Sequence, residues 1–390
     1  MVVSTTLSSV AASSSSAPLL TSALSNVALV GSSWMCSSIM FSTYYTTKFL
    51  KYDSAIEAKK KTDFETRQLQ VLSGTANPGS LSSVKSTENT GRFTGRFSFT
   101  KFKSANTMIT PILQSMSRAQ LLTLFRFSGS LLMGIFLHPI VMEWGNRLLF
   151  TLQYMQDFAL PAAFLFVANY CNSIALDRIG ISLTYTSKCI IPLITVLLTL
   201  LVDGVDALPS SLALAMLIPI AGGVAMASWN SPRFEKKGFL AAMTSSTAQA
   251  ALNVSSKRAL IKTGISGLEA QRSMVAVAFS IAICMSAQSY YQANRPRSDE
   301  ERELGKVHEL PPFWLALAAS AAYHFEYVFS FMFINMVQPI SYGTCDAIRR
   351  LGIIVAGRFF FGGDPFSKLN YGGIGFALLG AMGYSIASAK

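Results

Sequence analysis

Hydrophobic positions in this chain fall in long runs rather than in alternation, and the polar breaks between runs recur at intervals close to the thickness of a bilayer. Apolar runs occupy 24–46, 119–139, 155–177, 180–202, 208–228, 238–256, 272–290, 312–334, 338–361 and 369–388. At about 20 residues each, they predict ten membrane-spanning helices. The first is the most polar of the set, rich in Ser and Thr. The last two are joined by Gly362-Gly363-Asp364-Pro365, a tight-turn signal between two runs of spanning length.

Composition strengthens this picture. The chain has 390 residues, 51% of them hydrophobic and only 13% charged, too few charges for an ordinary soluble protein of this length. An all-α, multi-pass membrane protein is expected. The net charge of +12 comes largely from one segment, so it implies an anionic membrane surface or an anionic solute and not nucleic acid. All five cysteines fall inside the apolar runs without metal-ligand spacing, so neither a disulfide framework nor a metal site is expected, and no cofactor is implied.

The order of segments suggests the domain plan. Residues 1–23 read as a flexible Ser/Thr-rich tail; the first charged side chain is Lys48, so neither a secretory signal nor a transit peptide is supported. Residues 48–118 form a polar insertion with twelve Lys/Arg against five Asp/Glu. Within it, GRFTGRFSFTKFK (91–103) interleaves basic and aromatic residues, a pattern assigned here to acidic lipid headgroups rather than to single-stranded nucleic acid. Residues 293–311 read as a solvated mixed-charge loop.

An internal echo divides the chain. PIAGGVAMAS (219–228) and LGAMGYSIAS (379–388) agree at a shift of 160, sharing two alanines, a glycine and the final serine. A second echo links FSTYYTTKFLK (41–51) with ALNVSSKRALIK (251–262). Two five-helix halves follow, 24–228 and 238–390, separated by a linker at 229–237. Because five is odd, the halves must have opposite topology, the inverted-repeat plan of secondary transporters.

Charges inside apolar runs are costly and therefore mark candidate chemistry. Arg349 and Arg350 lie in the ninth run, and Asp346, three and four residues earlier, can pair with either on one helix face. Lys188 lies in the fourth run with Tyr185 at i−3, and at the repeat shift it falls one residue from Arg349. Glu326 is an acid in the eighth run that needs a partner, and Arg126 is embedded in the second. Asn169 and Asn172 share one face of the third run, a spacing that more often joins helices than binds a solute. Tyr342 in the ninth run completes the candidate set.

With Lys188 and the arginine pair in place, the chain resembles the drug/metabolite transporter superfamily, and within it the plastid sugar-phosphate/phosphate translocators and their nucleotide-sugar-transporting relatives. Arg349-Arg350 stand where that family has a Lys-Arg pair before a small-residue hairpin. Ser182, Thr184, Thr186 and Lys188 match its S-x-T-x-T-x-K pattern, and Asn253, Val254, Ser256, Lys257 and Arg258 match its sixth-span pattern. The resemblance implies that Lys188, Arg349 and Arg350 clamp a substrate phosphate. Three departures stand out: a family arginine falls on Leu252, a tyrosine on Glu326, and a His and Thr near Asn169 and Asn172.

The expected function is an antiporter exchanging phosphorylated metabolites such as sugar phosphates by alternating access, in the membrane of an intracellular organelle, plastid envelope or Golgi/ER. A nucleotide-sugar transporter of the same fold is the alternative. A membrane-embedded enzyme and a non-transporting sensor are disfavoured: only His138, His308 and His324 exist, no H-x-x-x-x-D or D-D-x-x-D spacing occurs, and there is no phosphate loop of the G-x-x-x-x-G-K-[ST] kind. Gly373, Ala377 and Ala381 form a small-residue stripe expected to pack within a monomer, with a weak homodimer as the other use.

Overall fold

A computed structural model describes residues 17–52, 112–136, 152–204, 210–229, 234–293, 310–336, 339–360 and 367–387. Among them every element is helical and none is a strand. In chain order, α1 spans Ala17–Cys36 and passes through a π-helical segment, Ser37–Ser42, into α2, Thr43–Leu50. Next come α3, Arg118–Phe136, and α4, Ala159–Ser187, which runs through a 3-10 turn, Lys188–Ile190, into α5, Ile191–Asp203. The second part of the chain adds α6, Ser211–Ala215, α7, Leu217–Ser228, α8, Lys236–Thr263, and α9, Gly267–Ala293. It ends with α10, Phe313–Met336, α11, Pro339–Phe359, and α12, Lys368–Ala387.

These helices fall on the apolar runs, with instructive differences. The first begins at Ala17, inside the stretch expected as a tail: residues 17–23 carry no charge or glycine, and Pro18 occupies the first turn, where its missing N–H costs no hydrogen bond. The third and fourth runs are nearly continuous. Gly180 separates them with φ 75° and ψ 177°, a left-handed conformation that a side chain would strain. The stretch 91–103 lies outside the described residues.

Three described helices, Arg118–Phe136, Ala159–Leu198 and Gly267–Gln292, are long and apolar enough to cross a membrane by length and composition. Others of spanning length are diluted by polar side chains that they turn inward, such as Ser245 and Ser246 on α8 and Ser320 and His324 on α10, all buried. Large apolar side chains point outward instead: Leu201 is 81% exposed, Ile261 75% and Leu379 68%. That polarity is the reverse of a water-soluble bundle and suits hydrocarbon surroundings. The chain is an integral membrane protein.

Close helix contacts depend on small residues. α7 and α12 run antiparallel, and a Cβ placed on Gly223 would sit 2.7 Å from the Gly373 carbonyl oxygen, while one on Gly373 would meet the Gly223 carbonyl oxygen at 2.7 Å. α4 and α8 are also antiparallel, with the Ser245 hydroxyl donating to the Ala168 carbonyl at 2.8 Å. α3 lies along α10 where Ser320 donates to the Phe125 carbonyl at 2.7 Å. α1 crosses α10 through Trp34 and Phe333, ring centroids 5.5 Å apart. These pairings bring α10, α11, the π segment and the end of α4 around one polar centre.

Candidate functional site

The helical spacing of Asp346, Arg349 and Arg350 sets the first part of the site. The Asp346 carboxylate stands between the two guanidinium groups: Oδ1 accepts from Arg349 Nε at 3.0 Å and Nη2 at 2.7 Å, and Oδ2 accepts from Arg350 Nη2 at 2.5 Å. Side chains at i, i+3 and i+4 share a helix face, so this arrangement follows directly from the sequence. It resolves the apparent conflict of two consecutive arginines, which project about 100° apart on a helix. Asp346 draws both toward one side.

The second part comes from distant helices. Arg349 Nη1 donates to Glu326 Oε1 on α10 at 3.0 Å and to the Ser38 hydroxyl at 2.7 Å, and Ser38 in turn donates to the same Glu326 oxygen at 2.8 Å. The guanidinium lies 5.1 Å from the Trp34 ring centroid, within the range of a cation–π contact. Ser38 belongs to the π-helical segment, where the Thr43 hydroxyl donates back to the Ser38 carbonyl at 2.8 Å. A π turn widens the helix locally and re-aims its side chains, a feature common at functional positions.

Lys188 joins the site from the end of α4. Its backbone carbonyl accepts from Arg350 Nη1 at 2.5 Å, so the 3-10 turn at the end of α4 is tied to α11. Its ammonium lies 5.3 Å from the Tyr185 ring centroid and makes no hydrogen bond or ion pair among the described residues. Three cations thus meet two carboxylates, and both carboxylates are taken by the arginines. Lys188 supplies the excess positive charge.

Of the residues expected from sequence, Lys188, Tyr185, Arg349, Arg350, Asp346 and Glu326 come together here. Asn169 and Asn172 do not join them through hydrogen bonds. Asn169 Nδ2 donates to the Leu165 carbonyl of its own helix at 2.9 Å and reaches the Tyr327 hydroxyl at 3.5 Å, while Asn172 Oδ1 is buried with no partner among the described residues. The Tyr342 side chain lies outside the described residues. Sequence reasoning missed Trp34 and Ser38 altogether. The signal available was the unusual Ser/Thr content of the first run, which places hydroxyls such as Ser38 where they can meet Glu326 and Arg349.

A model of the Triose-phosphate Transporter family matches residues 102–385, well over half of the chain. The chain belongs to that family. Among curated relatives of this family member, the non-green-plastid triose phosphate/phosphate translocator of Brassica oleracea var. botrytis is 27% identical over 219 residues, 56% of this chain and 54% of the relative. Phosphoenolpyruvate/phosphate translocator 1 of Arabidopsis thaliana is 26% identical over 219 residues, 56% of this chain and 53% of the relative. Glucose-6-phosphate/phosphate translocator 1 of the same plant is 25% identical over 224 residues, 57% and 56% of the two chains. In each case the aligned part spans about half the length of the relative.

Proposed function

We propose that this member of the Triose-phosphate Transporter family is a secondary transporter that exchanges phosphorylated metabolites across an organelle membrane by alternating access. The observation that carries the reading is the meeting of Lys188 with Arg349 and Arg350. Cations from two sequence-distant helices, joined by the 2.5 Å bond from Arg350 to the Lys188 carbonyl, enclose one positively charged centre. A phosphate brought to about 4 Å from such a cation gains roughly 4 kcal/mol per charge pair at an effective dielectric near 20. Removal from water makes an uncompensated cation equally costly, so the loaded state is the one that crosses.

The two halves supply the moving parts. Under an inverted repeat that maps the first helix onto the sixth and the third onto the eighth, the α4–α8 packing has its counterpart in the α1–α10 packing. Both pairs are in contact and both run antiparallel. The α7–α12 pair maps onto itself and is antiparallel as well. That correspondence supports ten spans in two inverted halves of five, with the cationic centre at their junction. Rocking of one half against the other would expose it to either side in turn.

Glu326 and Asp346 add a refinement. Each lies within hydrogen-bonding distance of Arg349 and so acts as an internal anion at the position where a substrate phosphate would compete. A carrier with its own counter-charge returns empty at lower cost, so exchange is expected to be looser than obligatory.

The test is transport by the purified protein in liposomes loaded with inorganic phosphate. Labelled triose phosphate, phosphoenolpyruvate, glucose 6-phosphate and a nucleotide sugar are offered outside. Uptake of at least one sugar phosphate, stimulated by internal phosphate, is expected. Uptake confined to the nucleotide sugar would move the protein to the alternative substrate class, and transport of none would remove the carrier reading.

A further inference from the structure

One end of the helix bundle carries far more positive charge than the other. Its core takes Leu50 from the end of α2, Leu121 from the start of α3, Ile181 beside the break in α4, Leu315 from the start of α10 and Ile353 near the end of α11. The Gln120 amide donates to the Ser289 hydroxyl at 3.1 Å, which adds the last turns of α9, and the Arg178–Glu235 ion pair adds the start of α8. α12 starts here as well, where Asn370 Nδ2 donates to the Ala227 and Trp229 carbonyls at the end of α7 at 3.0 and 2.8 Å. Within two turns of these helix ends the described residues include eight Lys/Arg and two Asp/Glu, and within two turns of the opposite ends four of each.

The same end is rimmed with aromatic side chains. Trp229, Tyr291, Phe313, Trp314, Phe359 and Phe360 are exposed there, whereas at the opposite end Phe136 is the only aromatic side chain so exposed among the described residues. Aromatic rings set among basic groups mark the level at which hydrocarbon gives way to headgroups. Lys48 combines the two features. It is exposed, its Nζ donates to the Tyr44 hydroxyl at 2.9 Å and lies 5.7 Å from the Trp314 ring centroid, and it makes no ion pair among the described residues. Its stem runs along aromatic surface while its charge stays at the rim. A soluble acidic partner calls for a polar face; cations held in a ring of exposed aromatics suit a surface that is both anionic and oily.

We propose that this end of the protein is a docking surface for acidic phospholipid, its cations binding the lipid phosphates of one leaflet and its aromatic rim seated between the headgroups. The polar insertion 48–118 begins and ends at this end of the bundle and carries twelve Lys/Arg against five Asp/Glu, which adds charge of the same sign. Each Lys or Arg at an acidic leaflet is worth about a fivefold gain in binding. An orientation follows: the start of α1 and the end of α12 lie on the side away from the acidic leaflet. This surface stands apart from the cationic centre, and its assignment does not depend on the carrier reading.

The experiment reconstitutes the full chain in mixed vesicles of phosphatidylcholine and phosphatidylglycerol, with one or the other lipid brominated near its headgroup, and reads quenching of tryptophan fluorescence. Trp229 and Trp314 are native probes at this end. Brominated phosphatidylglycerol is expected to quench as though enriched about fivefold over its bulk fraction, and about 0.5 M salt should bring the two lipids close to parity. Combining Lys48→Gln, Lys236→Gln and Lys368→Gln should reduce the preference to within about twofold of parity, while Lys257→Gln with Lys262→Gln at the opposite end should leave it in place. Trp229→Phe with Trp314→Phe should remove the excess quenching. Equal quenching by the two lipids in the wild type overturns the proposal, and so does a preference that survives the triple substitution. Should that variant fail to fold, the wild-type salt series decides, and a preference unchanged by salt overturns it.

Discussion

Glu326 and Arg349 meet across α10 and α11, with Oε1 accepting from Nη1 at 3.0 Å, so the protein carries its own anion at a guanidinium expected to grip phosphate. Both side chains retain some exposure, 16% for Glu326 and 14% for Arg349, which leaves the pair within reach of a competing solute. Glu326→Gln removes the competitor while keeping the shape. Substrate affinity should rise and unidirectional efflux from preloaded liposomes should fall, because the empty site then holds an uncompensated charge. Efflux that stays unchanged, with external substrate making no greater difference than before, would sink the internal-anion idea.

Lys188 lacks an ion-pair partner among the described residues, so its removal should not disturb the packing it sits in. Lys188→Ala is expected to reach the membrane in normal amounts and lose transport by about 100-fold or more, as a charge-assisted contact to the phosphate disappears, whereas Arg349→Ala should lose transport and also some stability, since it leaves Glu326 and Asp346 short of a partner. Lys188→Arg should retain part of the activity. Near-normal exchange by either alanine variant would detach these cations from the site.

Asp346 bridges the two guanidinium groups, accepting from both, so its loss should cost stability. Asp346→Asn leaves Arg349 and Arg350 facing each other across a neutral amide and should destabilise the protein by about 3 kcal/mol. Inorganic phosphate should restore more of the lost melting temperature in this variant than it adds to the wild type, since a bound anion replaces the missing charge. A melting curve taken with and without phosphate checks both points.

Gly223 and Gly373 set the approach of α7 to α12. A methyl group on either would meet the opposite carbonyl oxygen at 2.7 Å, contact that only a backbone shift can relieve. Gly223→Ala is expected to cost about 1–3 kcal/mol, and Gly223→Leu to prevent the helices from docking. Gly375, whose Cβ would meet nothing within 4 Å, is the control: Gly375→Ala should be neutral or slightly stabilising in a detergent melt.

Much of this protein was legible before any coordinates. Hydrocarbon imposes a length on apolar runs and demands that backbone polar groups be satisfied within the segment, so a linear pattern was enough to call for helices and to place them. The pairing of Asp346 with both arginines was equally accessible, because residues three and four apart on a helix are neighbours whatever surrounds them. The same one-dimensional rule put Asn169 and Asn172 on one face.

What the linear pattern could not reach were contacts between groups far apart along the chain. Ion pairing and hydrogen bonding act over a few ångströms, and nothing in a helix's own periodicity states which neighbour it will meet. Glu326 visibly needed a partner, but that the partner is Arg349, with Ser38 completing the triad, depends on α1, α10 and α11 converging. The burial of Arg126, with no carboxylate partner among the described residues, is of the same kind. Sequence by itself settled a helical membrane protein with charges inside it; only the tertiary structure decided which of those charges pair with one another, because pairing depends on which helices converge.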